Sequence, residues 1–354
     1  MAEGVTVTAG APYRVVVGRE LDIGELVSEA LEPATGVILT DSNVGPLHAG
    51  RLAGELEGAG WRVVDTIEVP PGERSKSLSS YGAVVRRLAL TGLGRDGTLF
   101  ALGGGVVGDL GGFIAHTYMR GISLVQLPTS LLAMVDSSVG GKVGVDLPEG
   151  KNLVGGFLQP RAVIAEVGWL ETLSDRELSC GLAEVVKMGL LCGGGFYRDL
   201  ELLPQARGRE AAALETLILH SVRFKASVVE RDEREEGLRA ILNYGHTVGH
   251  ALEAAASYRI LHGEAVAVGM LAEAELSRRR FGTDLRGEHR RLLEAAALPT
   301  RPPEVEPAPV LEAMKRDKKR RSGEHRFVLL KGVGEPVWDQ RVEDAEVVEV
   351  IGSL

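Results

Sequence analysis

The 354-residue chain carries 40 basic and 49 acidic residues, a net charge of −9, and 44% hydrophobic residues. That length and apolar content suit two domains, each with its own core, and the acidic balance excludes a global basic field that would recruit nucleic acid. No run approaches the roughly 20 apolar residues of a membrane span, the first ten residues lack a signal-peptide layout, and Cys180 and Cys192 suit a reducing compartment, so a cytoplasmic protein with no membrane partner is expected.

Taken in order, the first half alternates strand and helix. Tyr13–Val17 reads as a strand and Leu21–Leu31 as a helix. Gly36–Thr40 is a buried strand ending at Asp41-Ser42-Asn43, followed by a helix over Leu47–Gly58. Trp61–Val64 and Thr66–Val69 are strand-like, Pro70–Lys76 is a loop, and Leu78–Leu90 is helical. Thr98–Leu102 is apolar and bounded by glycine, as a buried strand is. This alternation predicts a mostly parallel sheet with helices on both faces, and ligands at the carboxyl ends of its strands. Asp41 lies at such an end, where a carboxylate takes ribose hydroxyls or else caps a helix.

Gly103-Gly104-Gly105 follows the Thr98–Leu102 strand and precedes a helical pattern over Val107–Ala115. Such a turn lets backbone approach a bulky anion, and the helix N-terminus would face phosphate. It is not the GxGxxG dinucleotide fingerprint, and a glycine run also occurs in plain tight turns. The chain has 31 Arg and 9 Lys. Lysine is therefore scarce, and Lys76, Lys142, Lys151, Lys187 and Lys225 all fall in glycine-rich or helix-facing motifs, as compact cations in anion sites do. Lys142 and Lys151 lie in loop-like surroundings.

From Thr172 the texture becomes helical: Asp175–Leu191, Ala211–Glu230, Ile241–Ala256, Glu264–Arg279 and Glu288–Ala297, with a strand at Arg326–Leu330. The domain boundary is placed near Leu170–Ser174, with the active site expected in the cleft between the domains. Arg239, Asn243, His246 and His250 are spaced 4, 3 and 4, which puts them on one helix face. Two histidines one turn apart can share a divalent metal, although the HExxH glutamate is missing. His262 opens the next helix, as a ligand or a cap. Glu184 and Lys187 share an apolar helix and must be paired, metal-bound or hydrogen-bonded. Glu184 with two histidines would leave open coordination positions, the mark of a catalytic zinc; cobalt also suits these donors. Lys142, Lys151, Lys225, Arg239 and Lys318-Lys319, with Asn152, Asn243 and His250, suit a substrate bearing phosphate and carboxylate. The basic run 315–321 also reads as a solvated face or an RNA-binding strip.

Most of these residues, though not Asp41, Lys225 or Arg239, sit in PGERSK (71–76), GGGVVGDLGGF (103–113), MRG (119–121), LPTSLLAMVDSSVGGKVG (127–144), GKN (150–152), GLAEVVK (181–187), LNYGHTVGH (242–250), HGEAVAVGM (262–270) and MKRDKK (314–319). In these segments, spread over nearly its whole length, the chain resembles the 3-dehydroquinate synthase family. The resemblance implies an α/β Rossmann-like NAD-binding domain (1–172), a mostly α-helical metal- and substrate-binding domain (173–354), and a homodimer. It implies zinc ligands Glu184, His246 and His262. NAD contacts would come from Asp41, Asn43, Pro71, Gly72, Glu73, Arg74, Ser75, Lys76, Gly105, Val106, Val107, Gly108, Asp109, Thr129, Ser130, Lys142, Lys151, Trp169, Leu170, Glu171 and Thr172. Lys142, Asn152, Lys225, Arg239, Asn243, His250 and one of Lys318 and Lys319 would hold substrate; Asp136 and Lys187 would complete the polar floor; Arg120 would reach the neighbouring subunit. The implied reaction converts 3-deoxy-D-arabino-heptulosonate 7-phosphate to 3-dehydroquinate and phosphate, with NAD and zinc. The alternatives are another sugar-phosphate cyclase, making 2-deoxy-scyllo-inosose or aminodehydroquinate, and a metal-dependent polyol dehydrogenase.

Overall fold

The computed structural model describes residues 3–256, 259–303, 307–316 and 325–354. The chain divides into two compact units, Met1–Leu173 with Lys225–Glu230, and Ser174–Phe224 with Arg231–Leu354. The fold class read from the sequence is the one observed: a parallel α/β unit and a mostly helical one.

The first unit contains β1 (Glu3–Val7), β2 (Tyr13–Gly18), α1 (Ile23–Ala30), β3 (Thr35–Asp41), α2 (Gly50–Gly58), β4 (Arg62–Val69), α3 (Leu78–Thr91), β5 (Thr98–Gly103), α4 (Gly105–Thr117), β6 (Ser123–Pro128), β7 (Lys142–Leu147), β8 (Gly150–Phe157) and β9 (Ala162–Glu166). Seven strands form one sheet in the order β1-β2-β9-β6-β5-β3-β4. All its pairings are parallel except β1 with β2. Successive residues of β3 and β5 face opposite cores. Val37, Leu39, Leu99 and Ala101 pack with α3 and α4, while Ile38, Phe100 and Leu102 pack with α1 and α2. Burial on both faces explains why these strands read as unbroken apolar runs. From β3 the chain moves outward to β4, then crosses back to β5 on β3's other side. That reversal is a topological switch point, and Asp41 and the triple glycine end the two strands that flank it.

The sequence reading took Lys142 and Lys151-Asn152 for loop residues. Instead they lie in an antiparallel hairpin, where Lys142 opens β7 opposite Phe157 and Lys151 and Asn152 belong to β8. Glycine at 144, 155 and 156 removed the alternation by which a strand is recognised.

The second unit contains α5 (Asp175–Cys192), α6 (Gly194–Asp199), α7 (Leu203–Arg207), most of α8 (Ala211–Arg231), α9 (His246–Ala255), α10 (His262–Phe281), α11 (Arg286–Ala295), α12 (Pro307–Arg316), the antiparallel pair β10 (His325–Leu330) and β11 (Pro336–Val342), and α13 (Asp344–Ser353). Val248, Leu252, Val268, Leu276, Phe327, Leu329, Val347 and Ile351 share one core. Among the described residues no helix is long and apolar enough to cross a membrane.

Arg239, Asn243, His246 and His250 do not share one helix. Leu238–Asn243 is a short 3-10 turn, Gly245 turns left-handed at φ +79°, and α9 starts at His246. The break is forced by packing. A Cβ on Gly269 of α10 would stand 1.9 Å from the Gly245 carbonyl, so the two backbones touch there.

Candidate active site

Three elements supply a compact donor cluster in the helical unit. Glu184 comes from the middle of α5, His246 from the first residue of α9 and His262 from the first residue of α10. One donor atom from each lies within 4.8 Å of the others. Nε2 of His246 and Nε2 of His262 stand 3.5 and 3.6 Å from the same Glu184 oxygen, Oε1. Ligand bonds of about 2.0–2.2 Å in a tetrahedron place neighbouring donors roughly 3.4 Å apart, so the spacing fits an ion such as zinc.

Each imidazole turns Nε2 towards Glu184 and Nδ1 towards a second acceptor. A carbonyl can only accept, so His246 Nδ1–H donates to the Tyr244 carbonyl (3.0 Å) and leaves Nε2 unprotonated. His262 Nδ1 lies 3.2 Å from Oε2 of Glu253, which orients it the same way. Glu184 is 1% exposed, and neither of its oxygens makes a hydrogen bond of ordinary geometry among the described residues. It forms an ion pair with Lys187 one turn along α5. Burial pushes the Glu184 carboxyl up, but Lys187 and His262 outweigh it and hold it well below the usual range. A buried, ionised carboxylate with the Nε2 atoms of two imidazoles turned towards it suits a divalent cation, which would displace the proton that His262 otherwise shares with Glu184. The His262 side chain keeps 30% exposure, so one side stays open to an outside ligand. The His250 ring lies 5.3 Å from that of His246 and 5.7 Å from that of His262. Arg239 and Asn243 precede the break; Arg239 donates to the Glu233 carbonyl, and Asn243 Nδ2 donates to Glu235 at 2.7 Å.

In the α/β unit the triple glycine is a strand-to-helix turn. A Cβ on Gly103 would meet Val107 at 2.7 Å, and Thr129 N–H donates to the Gly103 carbonyl at 3.0 Å. Gly104 caps α4 without a side-chain hydrogen bond, so the first N–H groups of α4 are available to an anion. Asp41 Oδ1 accepts from the Asn43 and Val44 N–H groups, so the carboxylate serves the turn after β3. Pro71–Lys76 closes with a 3-10 turn over Glu73–Ser75. Lys76, 6% exposed by its side chain, reaches Asp109 (3.1 Å), Glu73 (3.3 Å), Asp146 (3.7 Å) and the Asn152 amide oxygen (2.7 Å). Burial alone would lower the Lys76 ammonium, yet its carboxylates raise it above its usual value. Asp109 goes the other way, pushed up to about 6 because burial outweighs Lys76. Lys151 adds a 3.7 Å contact to Glu73. Asn152, expected at the substrate, therefore accepts from Lys76, the cation expected at the nucleotide. Lys225 Nζ donates to both the carbonyl and Oδ1 of Asp136, each at 2.6 Å. Thr172 pairs with His48 (3.1 Å), whose ring lies against Trp169, and Glu171 pairs with Arg19. Met119 and Arg120 turn left-handed at φ +53° and +64°, in an exposed bend before β6. Lys318 and Lys319 lie outside the described residues.

Two family models match in adjoining segments, 3-dehydroquinate synthase N-terminal over residues 66–180 and 3-dehydroquinate synthase C-terminal over residues 181–320. The chain belongs to the 3-dehydroquinate synthase family. It is 48% identical to the 3-dehydroquinate synthase of Acidithiobacillus ferrooxidans over 336 residues, 93% of this chain and 91% of that one. It is 48% identical to the Symbiobacterium thermophilum enzyme over 332 residues, 92% of each. Among solved structures it resembles a 2-deoxy-scyllo-inosose synthase complexed with carbaglucose-6-phosphate, NAD+ and Co2+ (TM-score 0.91, 29% identity, 99% of each chain covered). It also resembles the 2-epi-5-epi-valiolone synthase ValA of Streptomyces hygroscopicus with NAD+ and Zn2+ bound (TM-score 0.88, 27% identity, 99% and 98% covered). A butanol dehydrogenase from Thermotoga maritima, at 14% identity and TM-score 0.67, shares the fold alone.

Within this member of the 3-dehydroquinate synthase family, several polar residues escaped the sequence reading. Glu253 follows His246 by seven positions and His250 by three, a helical spacing that marks one face. Glu273 accepts the Gly245 N–H at 2.7 Å, and Asp146 accepts the Asn152 N–H at 2.7 Å. No sequence signal pairs either contact, since both depend on tertiary packing.

Proposed function

We propose that this chain converts 3-deoxy-D-arabino-heptulosonate 7-phosphate to 3-dehydroquinate and inorganic phosphate, as a carbon–oxygen lyase that closes a ring. The observation that carries this reading is the Glu184–His246–His262 donor set in a chain of the 3-dehydroquinate synthase family. Those three residues would hold zinc or cobalt, which when bound chelates adjacent substrate hydroxyls and acidifies one. NAD would supply a reversible hydride acceptor beside the metal, so the overall reaction has no net redox change.

The residues supply position and charge. The N-terminus of α4 and the Gly103–Gly105 turn would take the pyrophosphate, with Asp41 and Asn43 near ribose. Pro71–Lys76, Gly105–Asp109, Thr129, Ser130, Lys142, Lys151 and Trp169–Thr172 would complete the nucleotide site. Lys142, Asn152, Lys225, Arg239, Asn243, His250 and one of Lys318 and Lys319 would orient substrate phosphate and carboxylate. Asp136 aims Lys225 by two hydrogen bonds. Lys187 offsets the charge of Glu184. The departing phosphate would serve as its own base. Arg120 would reach the site of a partner subunit in a homodimer. We place the enzyme in the cytoplasm, acting on a small molecule with no nucleic-acid or membrane partner.

The test is to supply the seven-carbon phosphate with a trace of NAD and follow free phosphate and 3-dehydroquinate. Steady NADH accumulation without phosphate release would instead indicate a dehydrogenase. Likeness to 2-deoxy-scyllo-inosose synthase favours one second reading, a cyclase of a sugar phosphate that lacks a carboxylate. Phosphate release from glucose 6-phosphate, with none from the acid, would select it.

A further inference from the structure

The two histidines of the proposed metal centre are oriented differently. His246 Nδ1–H is taken by a neutral backbone carbonyl two residues earlier in its own chain segment. His262 Nδ1 faces a full carboxylate, that of Glu253. Glu253 lies on α9, the helix that His246 opens, while His262 opens α10. Its side chain is 4% exposed, and its neighbours Ala251 and Leu252 are buried. Burying a carboxylate among apolar side chains costs several kcal/mol unless charged hydrogen bonds satisfy it. A helix that needed only to pack would place an apolar residue there.

We infer that Glu253 is a positioning residue, which fixes the tautomer and ring orientation of His262 and makes its Nε2 a stronger donor to the divalent cation. This rests on the reading of Glu184, His246 and His262 as the metal ligands. A carboxylate on the far nitrogen engages Nδ1 at 3.2 Å and turns Nε2 towards Glu184 Oε1, 3.6 Å away, where a cation would be shared. It also ties the first turn of α10 to the face of α9 that carries His246 and His250. A direct role is the competing geometry, because His250, Glu253 and His262 likewise bring donor atoms within 4.8 Å of one another. The buried Glu184 carboxylate, facing both Nε2 atoms, favours the first arrangement.

The experiment uses the full-length protein stripped by chelator and titrated with Zn2+ against a chromophoric competitor, then with Co2+ read by its visible spectrum. The variants are Glu253→Ala, Glu253→Gln and Glu184→Gln, with folding followed by far-ultraviolet circular dichroism. Glu253→Ala is expected to raise the Zn2+ dissociation constant on the order of 10- to 100-fold and shift the Co2+ bands. Glu253→Gln keeps an acceptor oxygen without its charge, so a smaller shift in the same direction is expected. It carries the test alone if the alanine variant does not fold. Folded Glu253 variants with wild-type affinity and spectrum would overturn the inference while leaving the metal centre intact. Loss of Zn2+ in Glu253→Gln with retention in Glu184→Gln would move the ion to His250, Glu253 and His262, and overturn it too. A wild-type protein that binds neither ion would remove the centre itself.

Discussion

The Tyr244 hydroxyl and Nε2 of His289 lie 2.7 Å apart, and neither residue has exposed surface. His289 Nδ1 is 2.8 Å from the Leu285 carbonyl, so Nδ1–H donates there and Nε2 accepts from Tyr244. The ring is thus held neutral, directly beneath the turn that starts α9.

A pH dependence of stability is expected from this pair. Burial lowers the His289 imidazole to about 4, against small opposing effects of Leu285 and Glu288. An unfolded histidine titrates near 6.5, so below that pH the unfolded chain takes up a proton the folded chain refuses. The contribution is whole above about 6.5 and is lost as pH falls, the loss reaching about 3 kcal/mol near pH 4. Urea midpoints of wild type and His289→Gln across this window should converge as pH falls. Parallel curves would show that His289 does not govern the loss.

Removing a metal ligand should separate binding from folding. His246→Ala is expected to lose zinc and activity together while keeping its far-ultraviolet spectrum. Glu184→Ala should also unfold more easily, by about 3–5 kcal/mol, because buried Lys187 loses its counter-charge. Zinc retained by His246→Ala, measured by metal analysis after desalting, would contradict the ligand assignment.

Lys76→Met tests the nucleotide side. This buried ammonium separates Glu73, Asp109 and Asp146. Its loss should cost about 3–5 kcal/mol and weaken NAD binding. Wild-type melting with unchanged NAD affinity would mean that the carboxylates find other partners.

Two glycines give a paired comparison. Gly269→Ala places a methyl on the Gly245 carbonyl, and such overpacking costs about 1–3 kcal/mol or more. Zinc affinity should fall with it. Gly287→Ala in α11 meets nothing within 4 Å and should stabilise by about 0.4–1 kcal/mol. Equal melting temperatures for the two variants would refute the packing argument.

The buried parallel strands were legible because Val37–Leu39 and Leu99–Leu102 are apolar on both faces. So were the long helices of the second unit. Glu184 and the histidines were legible as candidates because they break apolar or helix-start patterns, but the choice of Glu184, His246 and His262 among them came from the family resemblance. The break at Tyr244-Gly245 was not, because side-chain spacing carries across a turn when its residues keep step. The hairpin of β7 and β8 was hidden by glycine. Pairings such as Asn152 with Lys76 depend on residues 76 positions apart and leave no local trace.

Lys225 also constrains how the protein can be made and cut. Lys225–Glu230 belongs to the first unit although it lies far along the chain, and Lys225 anchors Asp136 through two short bonds. During synthesis, some fifty residues of the other unit are made before this last piece of the α/β unit. A gene split after Leu173 would yield an N-terminal fragment lacking this cation, whereas one that also supplied 225–230 as a peptide could restore it.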